Sequence, residues 1–504
     1  MAILDSLFAW FMKKRIHQIE LFMKYPHDVQ EEWFQSLISS AEATEWGKKY
    51  DYNSILTPEE FKNRVPIQDY NSLKPYIDRM IKGEQNILWP SDIKWFAKSS
   101  GTTSDRSKYI PVSEECLTEC HFQGGKDMLT IYFNNCPDSQ IFAGKSVVLG
   151  GSSQINSFSS DSYYGDLSSI LLRNLPFWAE FKRTPNLEVT LLPDFEEKIE
   201  KVAHITIHEN VTNLAGVPTW NIVLAKRILE ITGKDNLLEV WPNLQFYTHG
   251  GVSFKPYREQ FKKLIPSDKM YYLENYNASE GYFALQDLSD SEDLLLMLDY
   301  GIYYEFLPIE HLYEENPKTL GLHEIELHKN YALIISTNAG LWRYLIGDTI
   351  KFVSLSPYRI QITGRTKQFI NTFGEELIVD NAEDAIKQAS ELTHAIVKDY
   401  TAGPIYFKEG EPGAHEWIIE FEQQPDNFES FCKILDETLR AINSDYDAKR
   451  YKNMALQFPV VHNAPTHTFF HWMKSKGKLG GQNKVPRLSN NRDYLEPLLT
   501  ILKK

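Results

Sequence analysis

The chain has little cysteine: four residues, Cys116, Cys120, Cys136 and Cys432, in 504. So sparse a set gives no disulfide framework. Cys116 and Cys120 are spaced as neighbours on a helix, but no second Cys/His pair completes a zinc site. Reduced, mostly buried thiols in the cytoplasm are the expected setting. Positive charge is also short: Lys and Arg number 53 against 68 Asp and Glu, a formal net charge of −15. That balance excludes a general nucleic-acid or anionic-membrane binder, since both need a broad positive field. A local basic pocket for a phosphorylated ligand is still allowed. No apolar run reaches the ~20 residues of a membrane span, so no integral membrane association is expected. The N-terminal run 7–12 is short, and Lys13, Lys14 and Arg15 follow it, the reverse of a secretory signal. Leu7, Phe8, Phe11 and Met12 recur at helical spacing and predict an amphipathic helix packed on the body. Internal repeats, low-complexity linkers and a Walker-type GxxxxGK(S/T) loop are absent as well.

What is present reads as a folded α/β protein of two domains, one large and one small, with 42% apolar and 24% charged residues. The first ~90 residues read as helices; 29–50 carries Trp33, Phe34, Leu37 and Ile38 on one side. Between about 95 and 360, β-rich runs (145–149, 243–247, 269–273) alternate with helical ones such as 220–232, which predicts mixed sheets layered with helices. The remainder reads as a small α+β unit. Its segment 415–422 suits a half-buried strand, and Asp426, with Glu429 three residues on, predicts a helix start. Phe428, Phe431, Cys432, Leu435, Leu439 and Ile442 form that helix's apolar stripe. The turn-like 363–367 (TGRTK) is the expected boundary, dividing 1–363 from 364–504.

Five segments carry chemistry. In 98–111, KSSGTTSDRSKYIP, Ser99, Ser100, Gly101, Thr102, Thr103 and Ser104 run together and lead to Arg106 and Lys108. Backbone N–H groups and hydroxyls of such a loop can approach phosphate oxygens while the cations neutralise charge. In 276–281, YNASEG, Glu280 follows a strand-like run beside Ser279; a carboxylate there suits Mg²⁺, which wants oxygen ligands, and Tyr276 could stack on a base. In 341–348, LWRYLIGD, Asp348 sits after Gly347 at an apparent strand end, where a carboxylate can accept both ribose hydroxyls of a nucleotide. Arg365 and Lys367 flank the boundary. The tail 471–492 holds Lys474, Lys476, Lys478, Lys484, Arg487 and Arg492 with no acidic residue, a cationic arm suited to closing over an anion.

Together these segments resemble the acyl-adenylate-forming superfamily. With 61–90 (FKNRVPIQDYNSLKPYIDRMIKGEQNILWP), 443–450 (NSDYDAKR) and 477–488 (GKLGGQNKVPRL), they resemble the Gretchen Hagen family of acyl acid–amido synthetases, from about residue 20 to 490. The resemblance implies a large N-terminal domain and a small mobile C-terminal lid. It implies that Ser99, Ser100, Gly101, Thr102 and Thr103 cradle the phosphates of ATP, with Tyr276 and Ser279 at the nucleotide, Asp348 on the ribose and Glu280 on Mg²⁺. Arg365 matches the arginine before the hinge, Lys367 the hinge, and Lys484 the lysine that reaches the α-phosphate and the substrate carboxylate. Val217 and Thr219 fall in a GVPT segment that the superfamily places near the acyl pocket. Asp105 departs from the family, whose loops often carry Gly there. Implied is an enzyme that converts a carboxylic acid and ATP to an acyl-adenylate and pyrophosphate, then passes the acyl group to an amine. Two rival readings are an acyl-CoA ligase and an inactive nucleotide-binding protein. Phe158, Tyr163, Tyr164, Trp178 and Trp220 either line an apolar acyl pocket or belong to the core.

Overall fold

Five helices open the chain: α1 (Ala2–Lys24), α2 (Pro26–Ala41), α3 (Glu45–Lys49), α4 (Pro58–Arg64) and α5 (Tyr70–Ile81). The computed structural model describes residues 2–99, 108–149, 155–158, 161–175, 180–192, 194–251, 254, 257–289, 291–312, 314–366, 369–375, 377–407, 412–453, 455–475 and 485–503. The single helical run expected over 29–50 is two helices. Thr44 adopts an extended backbone and its side chain accepts from the Gly47 amide, so a new helix starts there. α4 has the strongest local signal: the Thr57 and Glu60 side chains cap each other's backbone amides, and Pro58 occupies the first turn. α1 packs on the body through Ile19 and Phe22; the side chains of Leu7, Phe8 and Phe11 lie outside the described residues. Arg15 of α1 reaches both Asp127 and Asp299 at 2.5 Å.

Behind these helices stands one 11-stranded sheet. Its strands, in chain order, are β3 (Lys145–Val148), β6 (Arg183–Thr184), β7 (Val211–Ala215), β8 (Phe246–Gly250), β9 (Tyr271–Ala278), β10 (Gly281–Leu285), β11 (Leu294–Leu296), β12 (Ile302–Pro308), β13 (Asn330–Thr337), β14 (Tyr344–Leu355) and β15 (Tyr358–Arg365). A four-stranded sheet, β2-β1-β5-β4, comprises β1 (Trp95–Ser99), β2 (Lys108–Val112), β4 (Asn156–Ser157) and β5 (Tyr163–Gly165). The large sheet has two characters. From β9 through β8, β7 and β3 to β6 every pairing is parallel, whereas from β9 through β10, β11, β15, β14 and β13 to β12 every pairing is antiparallel. β9 is the seam. The strands expected at 243–247 and 269–273 are present but displaced toward the C-terminus, as β8 and β9.

The C-terminal part has its own sheet of β18 (Ile396–Ile405), β19 (Ala414–Gln423) and β20 (Val460–Ala464), flanked by helices Val379–Thr393 and Phe428–Ile442, with the short pair β16 (Phe369–Ile370) and β17 (Leu377–Ile378) before it. The chain is thus a large α/β unit of sheets layered with helices followed by a smaller α+β unit, as the sequence predicts. Three local expectations differ. β19 is buried on both faces from Ala414 to Phe421 rather than half-buried. The helix cap is Asn427, accepting from the Ser430 amide, not Asp426. Residues 363–365 complete β15 instead of forming a turn. Ile370, Phe373 and Leu377 share one hydrophobic cluster with Val147, Ile222 and Tyr247 of the parallel half.

Candidate functional site

The parallel strands end on a common cavity of about 1390 Å³, lined by Val148 and Leu149 at the end of β3, Ala215–Val217 at the end of β7, Gly250 and Gly251 at β8, and Asn277 and Ala278 of β9. Open α/β sheets bind ligands at this edge, outside the carboxyl ends of parallel strands. β9 turns into β10 through Ser279 and Glu280 alone, since Ala278 pairs with Gly281. Both turn residues face the cavity lining, and Glu280 is 6% exposed. Burial pushes the Glu280 carboxyl above its ordinary range; the charge of Lys108 opposes this most.

Asp348 and Arg365 sit directly opposite each other across β14 and β15. Arg365 Nε donates to Asp348 Oδ1 at 2.8 Å and the Tyr276 hydroxyl donates to Oδ2 at 2.7 Å. Burial and the Asp348 charge hold the Tyr276 phenol well above its usual range, so it stays a donor. The Arg365 guanidinium lies 4.9 Å over the Phe369 ring. Gly347 (φ +102°) and Gly364 (φ +147°) flank the pair on the two strands, and the register shifts just after Thr349. Asp348 therefore lies inside β14 rather than at a strand end, because the glycine-permitted irregularity lets the strand continue past it.

Ser99 and Lys108 are register partners closing β1 and β2, and both line the cavity. The loop between them, with Ser100, Gly101, Thr102 and Thr103, lies outside the described residues, as do Lys367 and Lys484. The structure thus brings Ser99, Tyr276, Ser279, Glu280, Asp348, Arg365 and Val217 to one cavity. Thr219 it does not. That side chain is fully buried and donates to the Phe373 carbonyl at 3.1 Å, tying helix Pro218–Thr232 to the C-terminal unit. Of the aromatic residues weighed for a pocket, Trp220 lines the cavity. Tyr164 instead stacks on Phe158 at 4.2 Å, and Trp178 lies outside the described residues.

Among the described residues no three His, Cys, Asp or Glu side chains group as a metal cage. One buried carboxylate with its pKa raised fits Mg²⁺ nonetheless, because that ion commonly takes one or two carboxylates and completes its shell with phosphate oxygens and water. Sequence reasoning passed over His249, whose ring stacks on Phe254 at 3.9 Å and whose pKa burial brings down to about 3, and His121, brought down to about 4 the same way. Both line the cavity. The signal available was THGG at the end of a strand and a Gly-Gly pair one turn after a histidine.

Three family models match the chain: the GH3 family N-terminal domain over residues 15–270, its central domain over 295–365 and its C-terminal domain over 380–493. The jasmonoyl–L-amino acid synthetase JAR4 of Nicotiana attenuata is 24% identical, over 94% of this chain and 92% of that protein. Indole-3-acetic acid-amido synthetase GH3.3 of Arabidopsis thaliana is 23% identical, over 96% and 93%. Among solved structures, GH3.15 acyl acid amido synthetase superposes with a TM-score of 0.60 at 17% identity, covering 97% of this chain and 95% of its own. A 2-hydroxyisobutyryl-CoA ligase superposes at 0.57 and 12%, covering 95% and 92%. These likenesses show the fold.

Proposed function

The chain belongs to the GH3 family, matched through its N-terminal, central and C-terminal domains, and from that membership we propose that it is an ATP-dependent ligase joining a carboxylic acid to an amino acid through an acyl-adenylate. The observation that carries this reading is the meeting of Tyr276, Asp348 and Arg365 with Glu280, Ser99 and Lys108 on one cavity. In the first step a carboxylate oxygen of the acid bonds to the α-phosphorus of ATP, and the bond from that phosphorus to the bridging oxygen breaks, releasing pyrophosphate. Positioning and charge neutralisation dominate such a displacement. Asp348 has lone pairs left for the ribose hydroxyls after serving Tyr276 and Arg365, since a carboxylate offers about four acceptor directions. Tyr276 stands at the adenine, and Ser99–Thr103 with Lys108 hold the phosphates. Glu280 and phosphate oxygens would hold Mg²⁺, which supplies charge neutralisation at the phosphates.

Lys484 reaches the α-phosphate and the acid in this step, and the C-terminal unit then turns about Lys367. An amine nitrogen attacks the acyl carbonyl, the carbon–oxygen bond to phosphate breaks, AMP leaves with the electron pair and the amine gives up a proton. Curated relatives named for amino-acid conjugation favour nitrogen as acceptor; the fold alone is shared with a CoA ligase. We place the reaction in the cytoplasm: the four cysteines are free thiols, and among the described residues no helix is long and apolar enough to cross a membrane.

Pyrophosphate release measured over a panel of carboxylic acids, with an amino-acid mixture or coenzyme A, tests the proposal. Acid-dependent release and an amide mass in the products are expected. A thioester product would hand the assignment to the CoA ligases, and no acid-dependent ATP–pyrophosphate exchange would reject activation altogether.

A further inference from the structure

α6 (Phe122–Asn135) turns Gly125, Met128 and Leu129 toward the cavity, and the π-helical turn before it, Cys116–His121, delivers His121 to the same wall. Such turns are over-represented at functional sites. His121 is 3% exposed, yet neither ring nitrogen has a hydrogen-bond partner among the described residues. The Tyr282 hydroxyl, from β10 on the same cavity, has none either. Buried polar groups are nearly always paired, so orphans on a cavity wall point to a partner the chain does not supply.

Gly125 stands one turn along from His121, on the same face. A Cβ there would meet nothing within 4 Å, and its φ lies outside the left-handed region. Neither crowding nor backbone geometry requires glycine, although glycine inside a helix is less stable than alanine. Gly124 is the contrast: its Cβ would fall 2.6 Å from the Tyr282 ring, so close packing accounts for that residue. The room beside Gly125 belongs to the cavity. Burial keeps the His121 imidazole neutral, with one donor and one acceptor nitrogen. Phe122, Met128, Leu129 and Phe142 line the same cavity with apolar surface.

We propose that His121 and the space at Gly125 form the subsite for the body of the acyl acid, and that this acid carries an uncharged hydrogen-bonding group remote from its carboxylate. The inference rests on the reading that the cavity takes a carboxylic acid. A hydroxyl, carbonyl or ring N–H fits an imidazole that both donates and accepts. A purely hydrocarbon acid would leave His121 buried and unpaired, which sites built for hydrogen bonding discriminate against strongly.

Calorimetric titration of the full chain with isosteric pairs tests it: para-hydroxyphenylpropanoate against its para-methyl counterpart, and ω-hydroxydecanoate against undecanoate. The hydroxyl member of at least one pair should bind the wild type at least tenfold more tightly. H121F should abolish that preference and H121Q restore part of it. G125V should weaken the preferred acid about tenfold, while G125A keeps or raises the melting temperature. Equal affinity within both pairs, a preference that survives H121F, or no binding by the wild type would overturn the proposal. Pyrophosphate release from the same acids is read separately: His121-dependent preference without release would sink acyl activation and leave the subsite standing.

Discussion

Asp348 accepts from Tyr276 at 2.7 Å and from Arg365 at 2.8 Å, and each removal asks a different question. Y276F deletes one hydrogen bond and keeps the ring, so about 1 kcal/mol, or roughly fivefold in the KM for ATP, is expected. D348N keeps the shape but leaves the Arg365 guanidinium without its charge partner, and the KM for ATP should rise by more than about tenfold. ATP–pyrophosphate exchange reads both; an unchanged KM in D348N would remove Asp348 from the nucleotide. The two buried histidines predict an acid sensitivity. Burial brings His121 to about 4 and His249 to about 3, both below the unfolded value of 6.5. The unfolded chain therefore binds more protons below pH 6.5. The stability these neutral rings allow is complete above that pH and is lost as pH falls through the folded values, on the order of 3 kcal/mol for His121 and about 5 kcal/mol for His249. H249F, in a site already stacked on Phe254, should lose less stability than wild type between pH 6.5 and 4 in urea titrations; parallel curves would contradict the burial assigned to His249.

At the scale of elements, β14 and β15 hold the site through their register. Gly347 has φ +102°, and a Cβ there would meet nothing nearer than the Thr366 hydroxyl at 3.7 Å, so the cost of alanine is conformational rather than steric. G347A should lower stability by about 1–2 kcal/mol and, by shifting Asp348 against Arg365, reduce exchange activity well beyond that. T57A, far along the chain in the α4 capping box, should cost about 1 kcal/mol with activity retained. A G347A enzyme as active as T57A would mean that the irregularity does not aim Asp348. The same elements explain what could be read in the sequence. YNASEG and LWRYLIGD stood out because a two-residue turn and a glycine-bearing strand concentrate chemistry in neighbouring residues. His121 and Gly125 did not, because a cavity-facing stripe of α6 has the same spacing as a core-facing one. Thr219 lay close to Val217 in an apolar stretch, and which way a first-turn side chain points is set by packing against Phe373, a long-range contact no local pattern encodes. The cap at Asn427 rather than Asp426 was a choice between adjacent residues that both suit the role.

For the whole molecule, the question is whether the two units are energetically separate. The boundary read at 363/364 falls at the end of β15, yet Ile370, Phe373 and Leu377, just beyond it, are fully buried in a cluster with Val147, Ile222 and Phe261 of the parallel half. Polar links reinforce the joint: the Tyr257 hydroxyl donates to the Thr372 carbonyl, Thr219 to the Phe373 carbonyl, and Lys449 lies 4.2 Å over the Trp220 ring. Cutting the chain after residue 365 would uncover a large apolar face of the parallel half, and each buried Ile, Leu or Phe contributes about 1.5–3 kcal/mol through burial. A 1–365 fragment should therefore aggregate or unfold well below the full chain. The full chain should melt in one transition, whether followed by tryptophan fluorescence or by circular dichroism. Two separated transitions, with a soluble and cooperative 1–365 fragment, would show that the joint at Phe373 adds little to the stability of either unit. With one transition, the turn proposed about Lys367 exchanges contacts at this joint without separating the two units.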